Sequence, residues 1–146
     1  MKEYIVKVKE DRTCWFNLEG QRHRENGPAV EYSNGDKSWW MNGKRHREDG
    51  PAVEWPDGSK FWYLNAKLHR ENGPAIELVD GSKAWYQNGK PHREDGPAIE
   101  RPDGSKEWWL NNELLTEQEF NGMISQKGIN NKIVEIDGKK YKLTEI

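Results

Sequence analysis

His46-Arg47-Glu48-Asp49-Gly50-Pro51-Ala52 decides the fold, because the chain repeats it. The same heptapeptide, with Asn or Asp at its fourth place, begins at His23, His69 and His92, so successive copies stand 23 residues apart without slippage. All 4 histidines of the 146-residue chain belong to these copies. A second phrase runs between them: Asp-Gly-Ser-Lys, two aromatic positions, then Asn-Gly-Lys. It reads Asp57-Gly58-Ser59-Lys60 with Trp62-Tyr63 in one copy and Asp103-Gly104-Ser105-Lys106 with Trp108-Trp109 in another. A fixed short period predicts a stacked array of small units.

Within one unit, Ala52-Val53-Glu54-Trp55 alternates and is bounded by Pro51 and by Pro56-Asp57-Gly58, which predicts a strand ending in a turn. Asp-Gly favours the positive φ of a hairpin turn, and Ser59 to Leu64 is then the returning strand. Asn42-Gly43 and Asn88-Gly89 mark the turn out of a unit, with Ala66 and Asn112 in place of glycine elsewhere. Each unit is therefore expected to be one β-hairpin plus a loop carrying the heptapeptide. Pro28, Pro51, Pro74 and Pro97 are expected at the first residue of a strand. Phe16 aligns with Trp39, Trp62, Trp85 and Trp108, and this column is expected in the core.

Before the array, residues 2–9 alternate Tyr4, Val6 and Val8 with charged neighbours, the period of a half-buried strand covering the first unit. After Trp109 the heptapeptide is gone. Thr116-Glu117-Gln118-Glu119 has the form of a capping box, with Phe120, Met123 and Ile124 at helical spacing and Gly128 as the expected end. Lys132 to Ile136, Asp137-Gly138 and Lys139 to Leu143 predict a last hairpin. The expected organisation is a capping strand over 1–13, the repeats over 14–114, and a helix-plus-hairpin cap over 115–146.

Composition limits the partners. A third of the residues are charged and a third hydrophobic, yet 8 Trp, 5 Tyr and 3 Phe supply large buried areas from few residues. The formal net charge of −2 leaves no overall basic footprint for duplex nucleic acid. The single Cys14 excludes an intrachain disulfide framework. No signal peptide, membrane-length apolar span or lipidation motif is read, so a soluble cytoplasmic protein is expected.

Trp40-Met41-Asn42-Gly43-Lys44-Arg45-His46 resembles part of a MORN repeat, a 23-residue hairpin unit, and the match recurs at 63–69 and 86–92 with Tyr for Trp. The resemblance covers residues 14–114. Arg24, Arg47, Arg70 and Arg93 depart from it, standing where the family has Gly after His, and the Asp-Gly tip falls two residues late. Arrays with this heptapeptide resemble those of small bacteriophage and bacterial proteins. The resemblance implies a phage or bacterial source and, for a phage protein, a role against the host. It also implies protein or lipid contacts rather than catalysis.

The residues themselves leave two readings of His-Arg-Glu. One is a structural ladder, with Arg47 paired to Glu48 or Glu54 and His46 bonded to loop carbonyls. The other is a row of cations beside rings, able to hold a phosphate and stack a base. On that second reading His46, Arg47, His69, Arg70, Trp40 and Tyr63 form the candidate ligand site. Units related by translation hold their histidines roughly 10 Å apart, too far to converge on one metal, so no metal site is expected. No cofactor is expected either. Glu54 and Glu77 are expected to be solvated, Ser59, Ser82 and Ser105 to serve turns, and Cys14 to pack.

Columns that vary between units point elsewhere. Tyr32, Trp55, Phe61 and Leu78 gather aromatic and aliphatic character near the hairpin tips, either as an interface or as rings closing the core. The chain is thus expected to be an all-β, MORN-like array of stacked antiparallel hairpins and a non-catalytic binder. Its function is expected to be capture of a small anionic, nucleotide-like ligand. The alternative is a protein–protein adaptor or inhibitor acting on a host protein through the aromatic patch. A homo-oligomer is open to a ribbon with exposed ends.

Overall fold

The computed structural model describes residues 3–130, 133–136 and 139–142. Two strands open the chain, β1 (Ile5–Val8) and β2 (Arg12–Phe16). Each following unit contributes a pair of strands to one long sheet and a second, shorter hairpin beside it. The first unit gives β3 (Val30–Tyr32) and β4 (Lys37–Ser38), then β5 (Trp40–Met41) and β6 (Lys44–Arg45). The second gives β7 (Val53–Glu54), β8 (Lys60–Phe61), β9 (Tyr63–Leu64) and β10 (Lys67–Leu68). The third gives β11 (Ile76–Glu77), β12 (Lys83–Ala84), β13 (Tyr86–Gln87) and β14 (Lys90–Pro91). The last gives β15 (Ile99–Glu100), an unbroken β16 (Lys106–Leu110) and β17 (Glu113–Leu115). Helix α1 (Glu117–Asn130) and the hairpin β18 (Ile133–Ile136) and β19 (Lys139–Lys142) follow.

The long sheet has 11 antiparallel strands in the order β1-β2-β3-β4-β7-β8-β11-β12-β15-β16-β17. It is an elongated array of hairpins at the 23-residue period, as the repeat predicts. Each unit, however, carries two hairpins and not one. The expected returning strand from Ser59 to Leu64 breaks at Trp62, because Lys60–Phe61 pairs in the long sheet while Tyr63–Leu64 pairs in the side hairpin.

Register sorts the side chains into two rows. Val30, Ser38, Val53, Phe61, Ile76, Ala84, Ile99 and Glu107 face one another across successive strands on one face. Glu31, Lys37, Glu54, Lys60, Glu77, Lys83, Glu100 and Lys106 do the same on the other. Opposite charges directly across strands each contribute roughly 0.2–1 kcal/mol.

The core differs from expectation. Trp39, Trp62, Trp85 and Trp108 are only half-buried. Among the described residues, those with no exposed surface are Ala29, Ala52, Ala75 and Ala98, the last residue of each heptapeptide. The prolines stand two residues before the strands rather than at their first residue.

The first unit holds one extra residue. Trp15 N–H donates to Ala29 O as Trp39, Trp62 and Trp85 donate to Ala52, Ala75 and Ala98. Trp15, not Phe16, therefore occupies the first aromatic column, and Phe16 bridges Arg22 as Trp40 pairs with Arg45.

β1 covers the edge of β2 but is exposed along its whole length, not half-buried. At the other end the capping box forms: Thr116 Oγ1 accepts from the Glu119 N–H, and Glu119 Oε2 accepts from the Thr116 N–H. Phe120 is buried, Ile124 half-buried and Met123 exposed. The helix runs through Gly128 to Asn130, two residues past its expected end. The expected turn Asp137-Gly138, together with Lys132 and Leu143, lies outside the described residues.

Candidate functional site

The heptapeptide builds the same local structure in every unit. Arg47 lies over the Trp39 ring with its guanidinium carbon 4.2 Å from the centroid. Arg24, Arg70 and Arg93 lie 3.9, 3.9 and 3.8 Å over Trp15, Trp62 and Trp85. Arg47 Nη1 donates to Pro51 O and to Glu54 Oε1, at 3.2 and 3.1 Å, and Nε donates to Asp49 Oδ1 at 2.9 Å. Arg70 and Arg93 repeat the Nη1 bonds, to Pro74 and Glu77 and to Pro97 and Glu100. Glu54 and Glu77 are thus partners of arginine rather than solvated. The Arg47 pair holds the Asp49 carboxyl below its ordinary range, and Arg93 does the same to Asp95.

The histidines join units. The Nδ1 atoms of His23, His46, His69 and His92 accept from the backbone N–H of Asn42, Asn65, Asn88 and Asn111 in the next unit, at 3.0–3.2 Å. An acceptor Nδ1 carries no proton, so histidine acts here as acceptor rather than as donor to loop carbonyls. The opposite nitrogen of His46 stands 3.5 Å from Glu48 Oε1. Two backbone bonds flank each of these, such as Arg47 N–H to Tyr63 O and Ala66 N–H to Arg45 O.

Successive heptapeptide loops enclose a groove at each step. His46, Arg47, His69 and Arg70 line the one between the second and third loops, about 610 Å³ in volume, beside Trp62 and Asn65. The structure therefore brings together four of the six candidate ligand residues. Glu48, Asp49 and Glu71 share that groove, so three carboxylates face two guanidinium groups. Arg70 differs from Arg47 in one respect. Asn72 stands in the place of Asp49, and among the described residues Arg70 Nε has no carboxylate partner.

Trp40 and Tyr63 lie apart from this groove, on the side hairpins. Trp40 is stacked between Arg22 and Arg45, at 4.9 and 5.2 Å, and Arg45 reaches Tyr63 at 5.6 Å. Trp40 Nε1–H donates to Ser38 Oγ. Sequence reasoning missed this alternating stack; the identical Arg-His at 22–23 and 45–46 was its only signal. It also missed the groove-floor rings Trp39, Trp62 and Trp85 by assigning them to the core.

The other candidate surface assembles as the varying columns suggest. Trp55 and Phe61 are in contact, ring centroids 4.7 Å apart, and Trp55 is 45 % exposed. Leu78 follows Ile76, which pairs with Phe61, so Leu78 shares that face, and the adjoining Val79 is 65 % exposed. Tyr32 sits on the same face two strands away, covered by Arg12, whose Nη1 donates to its hydroxyl. Toward the C-terminal end the face turns polar, closed by the Arg101–Glu107 ion pair.

Cys14 is buried in β2. Among the described residues no group of three or more His, Cys, Asp or Glu is placed to hold a metal ion. No helix among them is long and apolar enough to cross a membrane. No protein-family model matches the chain, and no curated protein matches it either.

Proposed function

We propose that the protein is a non-catalytic binder whose partner is another protein, docked on the sheet face around Trp55, Phe61, Leu78 and Val79. One observation carries this reading: an indole nearly half exposed beside a phenyl ring, on a face bounded by Arg12 at one end and by the Arg101–Glu107 pair at the other. Large rings held rigidly by a sheet lose little entropy on docking, which is why Trp and Tyr dominate binding hot spots. The ladder arginines, by contrast, already hold carboxylates and carbonyls of their own units. The repeated heptapeptide, similar to that of small phage and bacterial proteins, extends the proposal to a partner from a bacterial host. Such a protein acts by stoichiometric occupancy.

The second reading, capture of a small nucleotide-like anion, has one observation in its favour. Arg70, whose Nε has no carboxylate partner among the described residues, lines the groove with His46, Arg47 and His69.

Affinity purification of the chain from bacterial cytosol separates the two. One protein enriched by the wild type, reduced at least about tenfold by Trp55→Glu and retained by Arg70→Ala, is the expected result. A nucleotide-like molecule released on denaturation, lost in Arg70→Ala and kept in Trp55→Glu, replaces the first reading with the second.

A further inference from the structure

The long sheet ends in β1 on one side and in β17 on the other. Lys9 N–H donates to Arg12 O, which makes Lys9 and Arg12 a hydrogen-bonded pair at the hairpin mouth. Antiparallel strands alternate bonded and non-bonded pairs. Given the register Ile5↔Phe16, Val6↔Trp15, Lys7↔Cys14 and Val8↔Thr13, Ile5 and Lys7 bond to β2, while Val6 and Val8 aim their N–H and C=O away from it. Trp15 agrees, since its N–H points to Ala29 on the far side. The outer edge therefore offers an unused row of backbone donors and acceptors. Its apolar side chains are open as well: Ile5 is 39 %, Val6 48 % and Val8 75 % exposed. Edge strands are ordinarily blunted by lysine, proline, a bulge or a covering element; β1 carries Lys7, but it has no proline and nothing packed outside it among the described residues.

We propose that a second copy of this chain pairs with β1, antiparallel, about a two-fold axis through Val6. The register selects both the partner and the axis. With Val6 opposite its own copy, Tyr4 faces Val8 and Ile5 faces Lys7. Tyr4, Val6 and Val8 then form one apolar row across both copies, with Lys7 against an aliphatic neighbour on the other face. Two alternatives also bring outward groups into register: one centred on Lys7 sets two lysines directly opposite, an unfavourable pair, and one centred on Ile5 leaves Val8 out of the apolar row. A two-fold of this kind stands perpendicular to the sheet, so both copies present the same face to the same side. Three strands lie between β1 and β7, which places the two Trp55 rings on the order of 40 Å apart on one continuous sheet.

Sedimentation velocity on the full chain tests this. The wild type is expected at twice the 17.1 kDa chain mass. Val6→Pro removes only an outward N–H and is tolerated at an edge, so it is expected to sediment at the single-chain mass with unchanged near-ultraviolet circular dichroism. Val6→Lys keeps the backbone and sets like charges at the two-fold; it too is expected to sediment as a single chain and serves if the proline variant does not fold. A wild type that stays a single chain at high concentration overturns the proposal. So does a dimer that survives both folded variants.

Discussion

A guanidinium lying about 4 Å over an indole, with carboxylate and carbonyl oxygens around its rim, combines three interactions in one side chain. The stack supplies roughly 0.5–2 kcal/mol depending on desolvation. The planar fork supplies hydrogen bonds that a lysine ammonium cannot reproduce in the same geometry. Close neighbours explain the rest of the motif. A Cβ built on Gly50 would stand 2.8 Å from the Arg47 guanidinium carbon, so the glycine leaves room for the arginine to fold back. Arg47→Lys is therefore expected to destabilise the protein by about 1–2 kcal/mol. Urea unfolding checks it: the midpoint falls while the slope stays the same. An unchanged midpoint means that the stack is ornament and that Arg47 is available to a ligand after all.

The side hairpins turn through Asn-Gly pairs with both residues at positive φ, Asn42 at 48° and Gly43 at 78°, the pairing that two-residue hairpin turns favour. In β9–β10 the second place is Ala66, held at 68°. A left-handed non-glycine residue costs roughly 1–2 kcal/mol, and glycine gives back roughly 0.5–1 kcal/mol through its unfolded-state entropy. Ala66→Gly is accordingly expected to stabilise by about 0.5–1 kcal/mol, read as a higher thermal midpoint; a lower one shows that the Ala66 methyl makes contacts worth more than its strain. Turns of this kind were legible because Asn, Asp and Gly announce them directly. The stacking of hairpins was legible because a constant period leaves little else to build. Alternation could not show the break at Trp62, since the strand keeps its period while changing the sheet it pairs with. Counting from His23 could not show that Trp15 leads the first unit, because its loop is one residue longer and two aromatic residues stand side by side there. Nor could composition separate rings that fill a core from rings that floor a groove, since both are half covered and differ only in what lies above them.

Across the whole molecule each unit bonds only to its neighbours, through the long sheet, the His–Asn staples and the turn-to-strand bonds. Stability in such an array is a sum of unit and interface contributions, and it is lost from whichever end is weakened first. Acid weakens the ends unequally. Among the described residues the carboxyls held below their ordinary range are Asp49, Glu94, Asp95, Asp103, Glu107 and Glu119. All but Asp49 lie in the last unit and the helix start. Lys127 holds Glu94, Arg93 holds Asp95, the Ser105 hydroxyl and N–H hold Asp103, Arg101 and then Trp109 hold Glu107, and the Thr116 N–H holds Glu119. A carboxyl depressed in the folded state contributes stability that is fully present above its unfolded value, and this is lost as pH falls through the folded one. The loss therefore begins near the ordinary carboxylate range, about pH 4, and deepens below it. The array is expected to open from its C-terminal end, with amides of residues 94–120 losing protection at pH 3 while those of the first two units keep theirs. Hydrogen exchange at pH 3 and pH 6, corrected for intrinsic rates, reads this directly. Uniform loss along all units, or first loss at the β1 end, would show that the C-terminal carboxyls do not set where the array fails.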